Sequence, residues 1–134
     1  MVPPQGVLVH APLLARPSAR LLVPASLAVL GLAFALVPLA QGNFFFYWDN
    51  AQQHVAQTAF LQDGLHAGTI PQWWPKVGLG FPTTAEGQSA HYHPIRLLCA
   101  WLFSAPAALM WELALYFCLA GLGTYFFLRE FRLH

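Results

Sequence analysis

The sequence predicts an all-α membrane protein: a two-span helical hairpin whose long connecting loop carries short amphipathic and interfacial helices. Three observations point there. Hydrophobic residues make up 57% of the chain and charged residues 8%, against roughly a quarter charged in a soluble domain. Two apolar runs are long enough to cross a bilayer, and the polar residues concentrate between them. The same composition excludes a free-standing soluble globule, and it excludes disorder, which needs low hydrophobicity and high net charge. A formal net charge of +1 supplies no basic footprint for nucleic acid. Cys99 and Cys118 both lie in apolar stretches, so neither a disulfide framework nor a thiolate metal site is indicated.

Residues 1–20, rich in proline and without pattern, read as a cytoplasmic tail. The first span is Leu21 to Ala40, with Ser26 its one polar side chain; about 20 such residues cover a hydrocarbon core of about 30 Å. Pro24 and Pro38 stand near its ends, where a missing N–H does least harm. The alternative is a cleaved signal peptide, since Arg16 and Arg20 precede the run, but the run is long for a signal core and Pro38-Leu39-Ala40 is a poor cleavage site.

Residues 41–93 form the loop. Asp49-Asn50-Ala51-Gln52 opens an amphipathic helix near 50–63, with Asp49 as N-cap, Gln52 three residues on in a capping-box pattern, apolar positions at Val55, Ala59 and Phe60, and Gly64 as its stop. Gly68 to Pro75, with Trp73 and Trp74, reads as an irregular segment pinned at the membrane surface. Gly78, Gly80 and Pro82 mark turns. Residues 94–104 are apolar but too short to span, so they form an interfacial helix with Pro94 at its first position.

The second span covers residues 105–128 and holds one charge, Glu112, beside Trp111 and within reach of Arg96 as a partner. Gly121 and Gly123 offer a place for close helix approach without forming a GxxxG face. Residues 129–134 make a second cytoplasmic end. Arg16, Arg20, Arg129 and Arg132 flank one side of the hairpin, leaving Lys76 and Arg96 for the other. By the positive-inside rule both termini are cytoplasmic and the loop is extracytoplasmic.

Several short motifs in order carry a resemblance. After the first span come Asp49, Gly64 and Gly68, then Ile70-Pro71-Gln72-Trp73-Trp74-Pro75, Gly78-Leu79-Gly80-Phe81-Pro82 and Ala85-Glu86-Gly87-Gln88. Tyr92-His93-Pro94 and a Leu-rich helix follow, and the chain closes with Ala120-Gly121-Leu122-Gly123-Thr124-Tyr125-Phe126 ahead of an Arg-bearing end. The series resembles the N-terminal part of bacterial YfhO-type membrane proteins across residues 20–132. The resemblance implies a GT-C glycosyltransferase architecture, in which a large polytopic enzyme of the bacterial cytoplasmic membrane transfers a sugar from a polyprenyl-phosphate donor to an extracytoplasmic acceptor. Those proteins have many more spans. The chain is therefore expected to be a front end, inactive alone and completed by further transmembrane segments or a partner chain. The other reading is a small non-enzymatic membrane subunit that packs into a larger complex.

On the glycosyltransferase reading Asp49 is the catalytic residue, because an acceptor hydroxyl must lose its proton as it attacks the anomeric carbon; as a bare N-cap it needs no other role. Glu86 and Gln88 are candidate substrate contacts, with a solvated loop charge as the plainer reading of Glu86. Lys76 and Arg96 are candidates for the lipid phosphate, or bind ordinary headgroups. Trp73 and Trp74 stack on a sugar or anchor the loop in the headgroup belt. A divalent metal is the cofactor left open. His91 and His93, joined by His54, are the weak candidates for ligands, since an i,i+2 pair shares a face without supplying a third donor.

Overall fold

The computed structural model describes residues 17–44, 49–76 and 78–131. The expected tail through Arg16, Trp48 in the loop, and Arg132 with the last two residues lie outside the described residues. The fold is mostly helical: α1 (Pro17–Ala40), a π-helical turn (Asn50–His54) leading into α2 (Val55–His66), β1 (Trp73–Trp74), β2 (Phe81–Pro82), a 3₁₀ turn (Thr83–Ala85), α3 (Pro94–Leu102) and α4 (Ala105–Glu130).

Two helices are long and apolar enough to cross a membrane, Leu21–Ala40 within α1 and Ala105–Glu130 as α4. They pack antiparallel. Ala28 and Gly31 meet Cys118, Phe34 meets Phe117, and Ala35 is enclosed with Met110 and Ala114 beside Leu32, Leu36 and Leu39. The closest approach is at Gly31, where a Cβ would stand 3.0 Å from both Cys118 N and Sγ. The sequence offered Gly121 and Gly123 for this purpose. In the structure a Cβ on Gly121 would meet Leu27 at an ordinary 3.5 Å, and Gly123 faces open space. Just 6% of the α1 span is buried, against 33% of α4. A core helix of a soluble protein is mostly covered, and this chain leaves α1 largely bare.

Between α1 and α4 the chain folds into a layer of its own. Its helical path includes Asp49 itself and continues in a wide π turn, so Asp49 is helical where a flanking cap was expected. The expected face is also rotated. Gln57, Thr58 and Leu61 are buried, while Val55, Ala59 and Phe60 are partly covered, because the groups facing α2 are charged and call for polar partners. Gly64 does not stop the helix, which runs to His66. A Cβ there would lie 2.4 Å from Pro71 Cδ, so Gly64 is a contact point, and Gly68, with φ +76°, makes the left-handed turn.

The segment expected to be irregular forms a two-stranded antiparallel pair, with Trp73 opposite Pro82 and Trp74 opposite Phe81. It is tied down by Thr83, whose N–H donates to the Gln72 carbonyl at 2.9 Å and whose hydroxyl donates to the Pro71 carbonyl at 2.6 Å. Pro94 does open α3. That helix ends at Leu102, and Phe103 and Ser104 form the corner into α4.

Candidate functional site

Underneath α2 and α3, at the loop-facing end of α4, lies a connected polar network. Glu112 is buried on α4 and its Oε2 stands 2.6 Å from Arg96 Nε on α3. The Nε–H does not point along that contact, so charge proximity rather than a straight hydrogen bond holds the pair. Arg96 Nη1 donates to Thr58 Oγ1 at 2.9 Å, and the Thr58 hydroxyl donates to the His54 carbonyl at 2.7 Å. On the other side the Tyr116 hydroxyl, one turn along α4, donates to Glu112 Oε1 at 3.0 Å. His93 Nδ1 lies 2.9 Å from the same hydroxyl and, with that proton committed to Glu112, is the donor of the pair. A carboxylate buried on an apolar helix is thus neutralised by one arginine and ordered by one tyrosine.

A second cluster joins the start of the helical path to the turn at residues 83–89. Gln57 Nε2 donates to Glu86 Oε2 at 2.8 Å, and Gln53 Nε2 reaches Glu86 Oε1 at 3.4 Å and Gln88 Oε1 at 3.5 Å. The buried Ser89 hydroxyl lies 3.0 Å from the Thr83 carbonyl and 2.9 Å from that of Glu86. His91 is buried with Nε2 3.5 Å from the Gln57 carbonyl. Burial holds its imidazole below the ordinary 6.5, with Arg96 acting the same way against the Gln57 carbonyl and Glu86. Burial first, and the Glu112 charge second, push the Cys99 thiol up to about 11, which keeps it a thiol and a poor nucleophile.

The residues singled out from sequence divide accordingly. Arg96 is spent on Glu112 and Thr58. Trp74 is inside the layer, stacked on Phe60 at 5.6 Å and tilted against Phe81. Trp73 remains exposed, its indole edge over the Gly80 backbone, where a Cβ would fall 2.5 Å from Nε1. Lys76 is exposed in the turn between β1 and β2. Glu86 is half-buried and held by two glutamines, while Gln88 is exposed beside it. Asp49 is exposed, makes no side-chain hydrogen bond to a described residue, and precedes Gln53 by four positions on the same helical path.

A divalent metal needs several oxygen ligands at about 2.0–2.6 Å. Among the described residues no three His, Cys, Asp or Glu are grouped to hold one. The three histidines offered by the sequence are not brought together: His93 serves Tyr116, His91 faces Gln57, and His54 contributes its carbonyl to Thr58.

Sequence reasoning missed Gln53, Gln57, Thr58 and Tyr116. One signal was available for Tyr116: it stands four residues after Glu112, on the same face of an otherwise apolar helix. No protein-family model, curated protein or solved structure matches this chain.

Proposed function

We propose that the chain is the membrane-embedded front portion of a GT-C-type glycosyltransferase related to the YfhO-type proteins. On this reading α1 and α4 cross the bilayer as a hairpin with both termini cytoplasmic, and the layer between them is extracytoplasmic, with α3 at the interface. Further membrane helices, on the same chain or a partner, complete the enzyme. The bareness of α1 supports the membrane setting, since side chains such as Leu22, Val29, Leu30 and Phe34 are more than half exposed and lipid or other helices must cover them. The fit of Gly31 against Cys118 argues for a retained helix over a cleaved signal.

The observation that carries the catalytic reading is Asp49. It is an exposed carboxylate with no side-chain hydrogen bond among the described residues, one turn before the Gln53–Glu86–Gln88 cluster. The reaction is a direct displacement. The acceptor oxygen attacks the anomeric carbon, Asp49 takes its proton, and the bond to the polyprenyl phosphate breaks with the electron pair leaving on the phosphate. With Arg96 committed to Glu112, Lys76 is the exposed cation of the layer left to neutralise the leaving group. The polar rim around Gln53 and Gln88 offers hydrogen bonds to a hydroxyl-bearing acceptor.

A non-enzymatic membrane subunit is the second reading, favoured by the internal use of Arg96, Glu86 and Trp74. The two separate at Asp49. Because the side chain makes no capping bond, Asp49→Asn and Asp49→Ala should both leave the fold intact. In membranes carrying the chain with its completing helices and a polyprenyl-phosphate sugar, both should lower transfer about 10²- to 10⁴-fold. Transfer within a few-fold of the parent returns the chain to the subunit reading. Orientation is checked with an impermeant thiol reagent applied from outside: Gln88→Cys should react and Ser18→Cys should not, and the reverse pattern inverts the topology.

A further inference from the structure

At the C-terminal ends of α2 and α3 two cavities share the Trp101 side chain as a common wall. One, of about 370 Å³, is lined by Gln62, Asp63, His66, Trp101 and Ser104 among others. The other, of about 380 Å³, is lined by Leu65, Ile70, Leu97, Leu98 and Trp101. The first is polar and the second wholly apolar in its side chains. Gln62 is spent on structure, since its amide donates to the Ala100 carbonyl at 2.8 Å and also to that of Phe103. Asp63, His66 and Ser104 are exposed and free for a ligand, and Trp101 is 62% exposed.

The charges in the polar cavity have a direction. Asp63 lies in the last turn of α2, and Trp101 and Leu102 close α3, so a carboxylate and an indole from the last turns of two helices line the same space. Helix C-termini favour cations, and so does the face of an indole ring. No lysine or arginine lines either cavity. Ser104 begins the turn into α4 and makes no side-chain cap bond. Its hydroxyl and the His66 ring also line this cavity and can hydrogen-bond a ligand.

We propose that this paired cavity binds an aminophospholipid of the surrounding bilayer. Its ammonium sits between Asp63 and the Trp101 face, its phosphate meets Ser104 and His66, and the start of one acyl chain lies in the Leu65–Ile70–Leu97–Leu98 groove. A zwitterionic headgroup matches a cavity lined by a carboxylate, an indole and two further hydrogen-bonding side chains, whereas an anionic glycerol head offers the carboxylate hydroxyls but no cation. The proposal rests on the bilayer reading of α1 and α4.

The test is native mass spectrometry of the full chain in detergent micelles, titrated with phosphatidylethanolamine and with phosphatidylglycerol of identical acyl chains. Phosphatidylethanolamine should bind about fivefold tighter, the size of a partly exposed charge pair with a cation–π contact. Asp63→Asn should bring the two lipids to parity. Trp101→Leu, which keeps the groove apolar, should weaken phosphatidylethanolamine alone. Equal binding of the two lipids by the parent, or an unchanged preference in Asp63→Asn, overturns the proposal. Alkaline extraction of cell membranes separates this from the bilayer reading. A chain released at high pH refutes the membrane setting, and one that stays without preferring the amine refutes the lipid site alone.

Discussion

Where α1 meets α4, the contacts include Gly31 on Cys118, Phe34 on Phe117, and Ala35 among Met110 and Ala114, with a side-chain hydrogen bond from Cys118 Sγ to the Ala28 carbonyl at 3.3 Å. In the layer between them the buried set is different: Gln57, Thr58, Thr83, Ser89, His91 and Arg96 are enclosed, with Leu61, Trp74, Cys99 and Ala100 as the apolar part. The helix pair leaves most of its apolar surface for its surroundings to cover. The layer supplies partners for many of its buried polar groups, while His54 Nδ1, Gln57 Oε1 and His91 Nδ1 make no hydrogen bond among the described residues. An apolar helix can be lifted from one lipid-facing contact to another at little cost, since lipid tails are as apolar as Leu. A buried arginine cannot lose its carboxylate on those terms. The comparison teaches that the layer holds a defined shape through polar pairing, and that Glu112, with Tyr116 one turn on, joins it to α4.

The largest effect should therefore come from breaking that joint. Glu112→Ala leaves Arg96 buried without its counter-charge and should destabilise the layer by about 3–5 kcal/mol. Replacing both partners, Arg96→Met with Glu112→Leu, should recover most of the loss, because two apolar groups of similar volume leave no charge stranded. Pulse proteolysis of micelle-embedded protein reads the difference. If the double variant is as unstable as the single one, the pair is not what joins the layer to α4.

The two regions also differed in how far they could be read from sequence. The spans declare themselves through composition over a window: Leu21–Ala40 needed no knowledge of any partner. Pro94 at the start of α3 was equally local. The network was not legible, because its bonds join residues far apart in the chain, such as Arg96 with Thr58 and Gln57 with Glu86. Periodicity assigned the inward face of α2 to apolar residues, and it failed where the facing groups are charged. Gly64 was misread for a related reason. A glycine after a helical run suggests a stop, but the same residue serves close approach when a distant chain, here Pro71, packs on it. Of the candidate site residues, Asp49, Lys76, Gln88 and Trp73 are exposed, whereas Arg96 and Trp74 are not, and no local pattern distinguished the two sets.

A smaller effect sharpens the same contrast with one substitution in two places. Gly64→Ala should cost about 1–3 kcal/mol, the usual penalty of overpacking, since its Cβ would fall 2.4 Å from a rigid proline ring and 3.0 Å from the Thr69 carbonyl. Gly123→Ala, with nothing within 4 Å, should be neutral or slightly stabilising through helix propensity. Thermal unfolding of the two variants in the same micelle is the measurement. Equal losses at both positions would mean that the helix pair is packed as tightly as the layer, against the bareness described above.

The smallest expected effect is a pH dependence confined to the layer. His91 is buried with its imidazole held below the ordinary 6.5, chiefly by burial. In the unfolded chain the ring takes a proton as the pH falls through that value, while in the folded layer it resists until a lower pH. The unfolded state therefore binds more protons in this window, so stability rises with pH across it. The contribution is fully present above 6.5 and is lost as the pH drops toward the folded value. Denaturation of the parent from about pH 7.5 down to about pH 5 should show this loss. The other histidines are present in both the parent and a His91→Gln variant, so the difference between the two isolates His91. The variant should have the flatter profile. If both slopes are the same, burial of His91 is not what links the layer to pH.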